Sequence, residues 1–309
     1  GMSQKNYDNL IVGWSNLTLQ NGVTFGVNGL LYSDTPCLAY FRRDYIITNF
    51  GWTFVGDSTG ICIPFSSLWV TTSPNETITL PYVLNGNYLG IINWGDGNIV
   101  SNTIGNTTHT YVNPGTYQID ITGIIEGWDF QTYSTSKDNI IEILNWGSLK
   151  GLNGSNQGMF YNCSNLVLTG VTDTPDLMGI TSLAYMFGYR SLITTINNLG
   201  NWSVSNISNM NGIFQNCYDF NQPLSSWTVS NVTTMTSLFE NCSNFDQNIG
   251  NWNVSSLINA DYLFHNTNSF NQDLSSWNVS NLTGGVKMFD NCNMSQTNYD
   301  NLLVGWSNL

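Results

Sequence analysis

Charge is scarce in this chain of 309 residues: only 9% are Asp, Glu, Lys or Arg, seven basic against twenty acidic, for a formal net charge of -13. Residues 1–60 hold three basic and four acidic side chains; the remainder holds four and sixteen. So negative a surface repels phosphate backbones and anionic headgroups, so neither nucleic acid nor membrane-surface binding is expected. No apolar run approaches the ~18 residues a membrane-spanning helix needs. A secretory leader is also missing. Gly1-Met2 is compatible with a cut inside a longer chain, so that absence does not argue against export.

Catalytic equipment is equally thin. There are two histidines, His109 and His265, and the glutamates are Glu76, Glu126, Glu142 and Glu240, with no pairing in sequence. Nothing resembles a nucleophile elbow, a phosphate loop or a metal cluster. The expectation is therefore no enzyme, no cofactor and no metal. Cysteines fall at 37, 62, 163, 217, 242 and 292, without the close spacing of a zinc site.

What is abundant is repetition. Trp202, Trp227, Trp252 and Trp277 recur every 25 residues, and Phe214, Phe239, Phe264 and Phe289 follow them at a constant offset. A fixed period of about 20–50 residues signals a stack of small units, each too small to bury its apolar face alone. Phe220, Gln222 and Leu224 alternate like a short strand. Ile207, Met210, Ile213 and Phe214 follow with helical spacing, and Ser205-Asn206, Ser230-Asn231 and Ser280-Asn281 suit N-caps. Successive strands would pair in parallel, making apolar Trp and Phe ladders. Met159-Phe160 and Met186-Phe187 mark two degenerate coils ahead of the regular ones, and Trp146 the start of the stack. Cys163, Cys217, Cys242 and Cys292 each sit three after a Phe, in a slot that Arg190 and Thr267 fill elsewhere. Stacked Cα atoms about 4.8 Å apart allow a Cys217–Cys242 disulfide; buried thiols acting as small apolar groups are the alternative.

The run Phe-x-Asn-Cys-x-x-Phe-Asn-Gln-x-Leu-Ser-Ser-Trp-x-Val-Ser-Asn-Val resembles the BspA-like leucine-rich-repeat surface proteins, mostly bacterial. The resemblance covers nearly the whole chain. It implies a right-handed leucine-rich-repeat solenoid of parallel strands and short helices over residues 140–293, on an exported protein used for adhesion or protein binding. It carries no catalytic residues.

Residues 1–60 read as a helix (Tyr7, Leu10, Ile11 and Trp14 on one face, Ser3 as N-cap), a strand at Val23–Val27, a helix begun at Asp34-Thr35-Pro36 (Leu38, Phe41 and Tyr45) and a strand at Trp52–Val55. The same resemblance makes this α+β segment a cap for a repeat stack. Residues 69–127 hold short alternating strands with Gly, Asn and Pro between them, which suggests a β-sandwich. The series Trp94-Gly95-Asp96-Gly97, His109-Thr110-Tyr111 and Gly115-Thr116-Tyr117 is similar to PKD domains. Asp96 could take Ca²⁺; an Asp in such a turn more often accepts from backbone N–H groups.

Finally, Met2–Leu17 and Met294–Leu309 are near-copies that differ at positions 5/297 and 11/303, so residues 294–309 start a second cap helix with Tyr299, Leu302 and Trp306. This suggests one unit of a tandem array. The expected whole is a mixed α/β and all-β protein: cap, PKD-like sandwich, solenoid and second cap helix. Its expected function is non-enzymatic adhesion or protein or glycan binding outside the cell, or else service as a structural subunit of a surface fibre. Expected partners are host proteins or glycans, and other copies arranged head-to-tail or as neighbouring units of a longer chain.

Overall fold

The computed structural model describes every residue except 1, 3, 34–37, 61–62, 152–157 and 190–192. The expected N-cap at Ser3, the helix start at Asp34-Thr35-Pro36, Cys37, Cys62 and the Arg190 slot lie outside the described residues, as do the side chains of Leu38 and Phe41.

Helix α1 (Gln4–Ser15) is followed by β1 (Thr24–Gly26), β2 (Leu31–Ser33), α2 (Leu38–Phe50), β3 (Thr53–Val55) and β4 (Ser58–Gly60). β1 pairs in parallel with β3, Phe25 opposite Phe54, and β2 pairs in parallel with β4. Gly51, at φ +64°, takes the left-handed conformation that ends a helix and lets α2 turn into β3. These elements share a small core of their own, built on Tyr7, Ile11, Val27, Ile46 and Phe54. Asp57 is drawn to its edge. It accepts two hydrogen bonds from Arg43 and one from the Tyr7 hydroxyl, all at 2.9 Å. This bidentate pairing makes a nearly inaccessible carboxylate tolerable.

Ten short strands follow. β13 (Ile140–Asn145), β5 (Phe65–Thr71), β11 (Gly115–Ile121), β8 (Ile91–Asn93) and β9 (Ile99–Ser101) lie side by side in that order, all antiparallel. β14 (Leu149–Lys150), β12 (Ile124–Trp128) and β7 (Tyr82–Leu89) form a mixed sheet, and β6 (Glu76–Thr79) pairs with β10 (Thr108–Tyr111). In place of the expected β-sandwich there are three small open sheets. Turn residues keep several strands to three or four residues. A bulge at Gly127, where φ is +113°, breaks the register between β12 and β7.

A larger correction concerns the repeats. From 158 to 295 the described residues contain no α-helix and no strand; one 3₁₀ turn lies at Leu199–Asn201. Parallel pairing is reduced to single bridges, Ser182 to Asn209, Asn209 to Thr234, Thr234 to Asn259 and Asn259 to Gly284. The expected leucine-rich-repeat solenoid of strands and short helices therefore does not form; the region is a column of turns. Three local causes account for this.

First, each regular coil carries two left-handed residues: Gly212 and Asn216, Ser237 and Asn241, Tyr262 and Asn266, Lys287 and Asn291. A right-handed helix cannot pass through them. Instead the N–H groups of Met210, Gly212, Phe214 and Asn216 donate to carbonyls of Thr234, Thr236, Leu238 and Glu240 in the next coil. Second, the alternating segment has a side chain where a strand would have a backbone partner. The Gln222 amide accepts from Ile196 N–H at 2.6 Å and donates to Ile196 O at 3.2 Å, imitating a peptide group. Third, the asparagines expected to help start helices bond across coils, Asn231 to Ser205 O and Asn281 to Ser255 O.

The column is rooted in the sheet. Glu142, on edge strand β13, bridges in parallel to Val167, and one apolar core runs from Phe65 and Trp69 through the Phe and Trp ladders to Leu302 of α3 (Gln296–Ser307).

Candidate functional site

The ladder residues are inside. Trp202, Trp227, Trp252, Trp277, Phe214, Phe239 and Phe264 are buried, and Phe289, in the last coil, is half-buried. Phe214, Phe239, Phe264 and Phe289 stack in sequence with centroids 6.0, 5.8 and 5.7 Å apart. The indole N–H groups of Trp227, Trp252 and Trp277 each donate at 3.0 Å to a carbonyl of the coil before. These rings are therefore not ligand platforms.

The cysteine slot has a chemical logic beyond apolar filling. Cys163, Cys217, Cys242 and Cys292 are not bonded to one another, so the slot holds no Cys217–Cys242 disulfide. Cys242 Sγ donates to Phe214 O at 2.9 Å and Cys217 Sγ to Phe187 O at 3.2 Å. Thr267 Oγ1 makes the equivalent bond to Phe239 O at 2.7 Å. The slot calls for a small donor, which Cys and Thr both supply. Burial, followed by the neighbouring Cys217, pushes the Cys242 thiol well above its ordinary value, so the reactive thiolate is suppressed.

Asp96 sits in the turn after β8. Its Oδ1 accepts from Asn98 N–H at 3.0 Å and its Oδ2 pairs with His109 Nε2 at 2.7 Å. Desolvation works to raise its pKa, but the His109 and Asn98 hydrogen bonds and the His109 charge together outweigh it and hold the carboxyl below its usual range. His265 Nδ1 lies 3.2 Å from Glu240 Oε1, and Gln215 donates to Glu240 Oε2 at 2.7 Å. Among the described residues no group of three or more His, Cys, Asp and Glu could hold a metal.

One face of the column stands out. Tyr161, Tyr185 and Tyr189 cluster there, the Tyr161 ring 5.0 Å from Tyr189 and 6.4 Å from Tyr185. Tyr189 is 45% exposed. Tyr185 and Tyr189 have φ of +55° and +63°, which costs an aromatic residue free energy of about 1–3 kcal/mol. In later coils Tyr189's slot holds Asn216, Asn241, Asn266 and Asn291, whose amides bond to one another at 2.7–2.8 Å. Tyr189 gives up that ladder and accepts the strain. A neighbouring glycine makes room for one of its companions: a Cβ on Gly212 would strike the Tyr185 ring. Burial, then Tyr189 nearby, raises the pKa of Tyr161 and of Tyr185, so these two present neutral hydroxyls at neutral pH. The Gln215, Glu240 and His265 row extends this face with hydrogen-bonding groups. Sequence reading did not single out these tyrosines. The signal for Tyr189 was a Tyr standing where later coils carry Asn.

The cap residues divide by helix. Tyr7 is buried in α1 whereas Leu10 and Trp14 are partly buried; in α3 Leu302 is buried, Trp306 partly buried and Tyr299 exposed. A shallow polar groove of about 590 Å³, lined by Ser225, Gln247, Asn248, Asn251, Asp273 and Ser276, runs beside α3. No described helix is long and apolar enough to cross a membrane.

Residues 181–302 match the model of a family described as Mycoplasma protein of unknown function, DUF285. No curated protein and no solved structure matches the chain.

Proposed function

We propose that this chain is a non-enzymatic binding scaffold displayed outside the cell, an adhesin of the BspA-like kind, which takes a protein or glycan on the face formed by Tyr161, Tyr185 and Tyr189. The strained exposed Tyr189 carries this reading. Backbone strain kept in a repeat that has an unstrained alternative at the same slot is characteristic of a working surface. Flat rings with few rotatable bonds offer large contact area at small entropic cost and stack well on sugar rings and peptide planes. The continuous aromatic core behind them supplies a rigid backing. The family match over the repeats and the resemblance to surface proteins support display at the cell surface.

The test is a single substitution with two opposed readouts. Tyr189→Asn restores the residue of the later coils, so it relieves the φ strain and allows an amide bond to Asn216. Its melting temperature should rise while binding on an array of glycans and extracellular-matrix proteins falls. Binding retained in Tyr189→Asn and in Tyr161→Ala would refute this face as the site. A second reading, a structural subunit joined head-to-tail, is favoured by the two near-copied helices.

A further inference from the structure

The same helix is present twice, and the two copies bury different, adjoining sides. In α1, Tyr7 and Ile11 are fully buried against β1–α2–β3. In α3 the equivalent Tyr299 and Leu303 are 47% and 49% exposed, and Val304 is 64% exposed. There the buried side is the adjoining one. Leu302 is 2% exposed, Asn298 Nδ2 donates to Asn271 O at 2.8 Å, and Trp306 Nε1 donates to Leu274 O at 3.1 Å. That last bond continues the indole-to-carbonyl series of Trp227, Trp252 and Trp277, so α3 acts as the next rung of the column. Gly305 permits this approach, because a Cβ there would collide with the Ser275 carbonyl. On α1 the matching residues are Asn6, Leu10, Gly13 and Trp14. Leu10 is only partly buried, and a Cβ on Gly13 would meet nothing within 4 Å.

We propose that this side of α1, where Leu10 and Trp14 lie partly buried at the edge of the cap's own core, is a docking surface for a second copy of this chain: α1, carrying its own cap, seats on the last coil of another molecule at Asn271–Ser275 and displaces the α3 that occupies the place. The two helices have the same residues at every contact named, so the α3 seat is a template for the joint. The aromatic core would then run on between molecules. In the seat, Phe289 lies 6.2 Å from Trp306, and in the cap the equivalent Trp14 lies 4.8 Å from Phe25 and 5.5 Å from Trp52. Such a contact joins unlike surfaces and need not close, so it builds a filament rather than a ring. It stands whether or not the tyrosine face binds a ligand.

Two glycine substitutions in the full chain test the joint in opposite directions. Gly13→Ala leaves the isolated molecule untouched, because nothing is near that Cβ. At the joint the new methyl meets Ser275 backbone, so association should weaken by roughly tenfold or more. Gly305→Ala unseats α3 and clears the coil, so association should strengthen. Light scattering from micromolar to millimolar concentration reads both, and circular dichroism checks that each variant is folded. Growing mass in the parent chain and in Gly305→Ala, lost in Gly13→Ala, is the expected pattern. Association unaffected by Gly13→Ala would overturn the proposal, and so would a folded Gly305→Ala that stays monomeric throughout.

Discussion

The sheet region and the column fill one continuous core by different means. Between Phe65 and Lys150 several tyrosines find their partners one at a time, while the buried indole N–H groups of Trp128 and Trp146 find none. Tyr82 stacks on Tyr88 at 4.0 Å, the Tyr88 hydroxyl donates to Gly127 O at 2.6 Å, and Tyr111 donates to Trp94 O at 2.7 Å. None of these arrangements is reused. In the column a single solution recurs: Phe on Phe, indole N–H to the carbonyl before it, a small donor beneath, and an asparagine at a left-handed bend. Repetition thus replaces regular secondary structure as the source of order. A defect in the sheet region disturbs one arrangement, whereas a defect in the column disturbs the coil above and the coil below.

The sharpest way to break that contrast is within a ladder. Trp252→Ala removes a buried ring between two others and the indole hydrogen bond to the Leu224 carbonyl, so it should cost about 3–5 kcal/mol in a denaturant titration. Phe239→Ala, with ladder neighbours on both sides, should cost more than Phe289→Ala in the half-buried last coil. Equal losses would mean the coils do not share the load.

A smaller effect isolates the donor beneath the rings. Cys242→Thr keeps a donor to Phe214 O, as Thr267 does one coil on, and should be nearly neutral. Cys242→Val fills the same space without a donor and should lose about 1–2 kcal/mol. Similar melting curves for the two would return this slot to simple apolar packing.

The smallest effect belongs to the sheet region and depends on pH. Asp96 has a folded pKa below its unfolded value of about 3.9. Its contribution is therefore present above that pH and disappears as pH falls through the folded value. Asp96→Asn should melt slightly lower than the parent at neutral pH, and the difference should vanish in acid. A gap that persists in acid would assign the role to packing rather than charge.

Much of this could be read in advance from particular residues. The Trp and Phe positions gave the register of the column, and α1 and α2 follow the expected helical spacing. The backbone between the ladders could not be read so directly. Ile207, Met210, Ile213 and Phe214 have the spacing of a helix face, but that spacing constrains only which side chains turn inward. The direction of the N–H groups is set by Gly212 and Asn216, whose left-handed angles are optional for those residue types. Gln222 posed the same difficulty, since nothing in its sequence position announces that it will stand in for a peptide group. The tyrosine face depends on contacts across coils 24 to 28 residues apart and on Gly212, which leaves room for Tyr185, so it emerges only once the coils are stacked.

The hydrogen bonds from Met210, Gly212, Phe214 and Asn216 to the following coil have a mechanical consequence. They point along the length of the column, so tension applied at its ends loads them in series, one coil after another. Each coil that parts frees about 25 residues, roughly 80–90 Å of extended chain. The column would thus yield to a pull by paying out slack in equal steps, visible as evenly spaced drops in force when one molecule is stretched. A tether built this way absorbs a tug while most of its length remains folded.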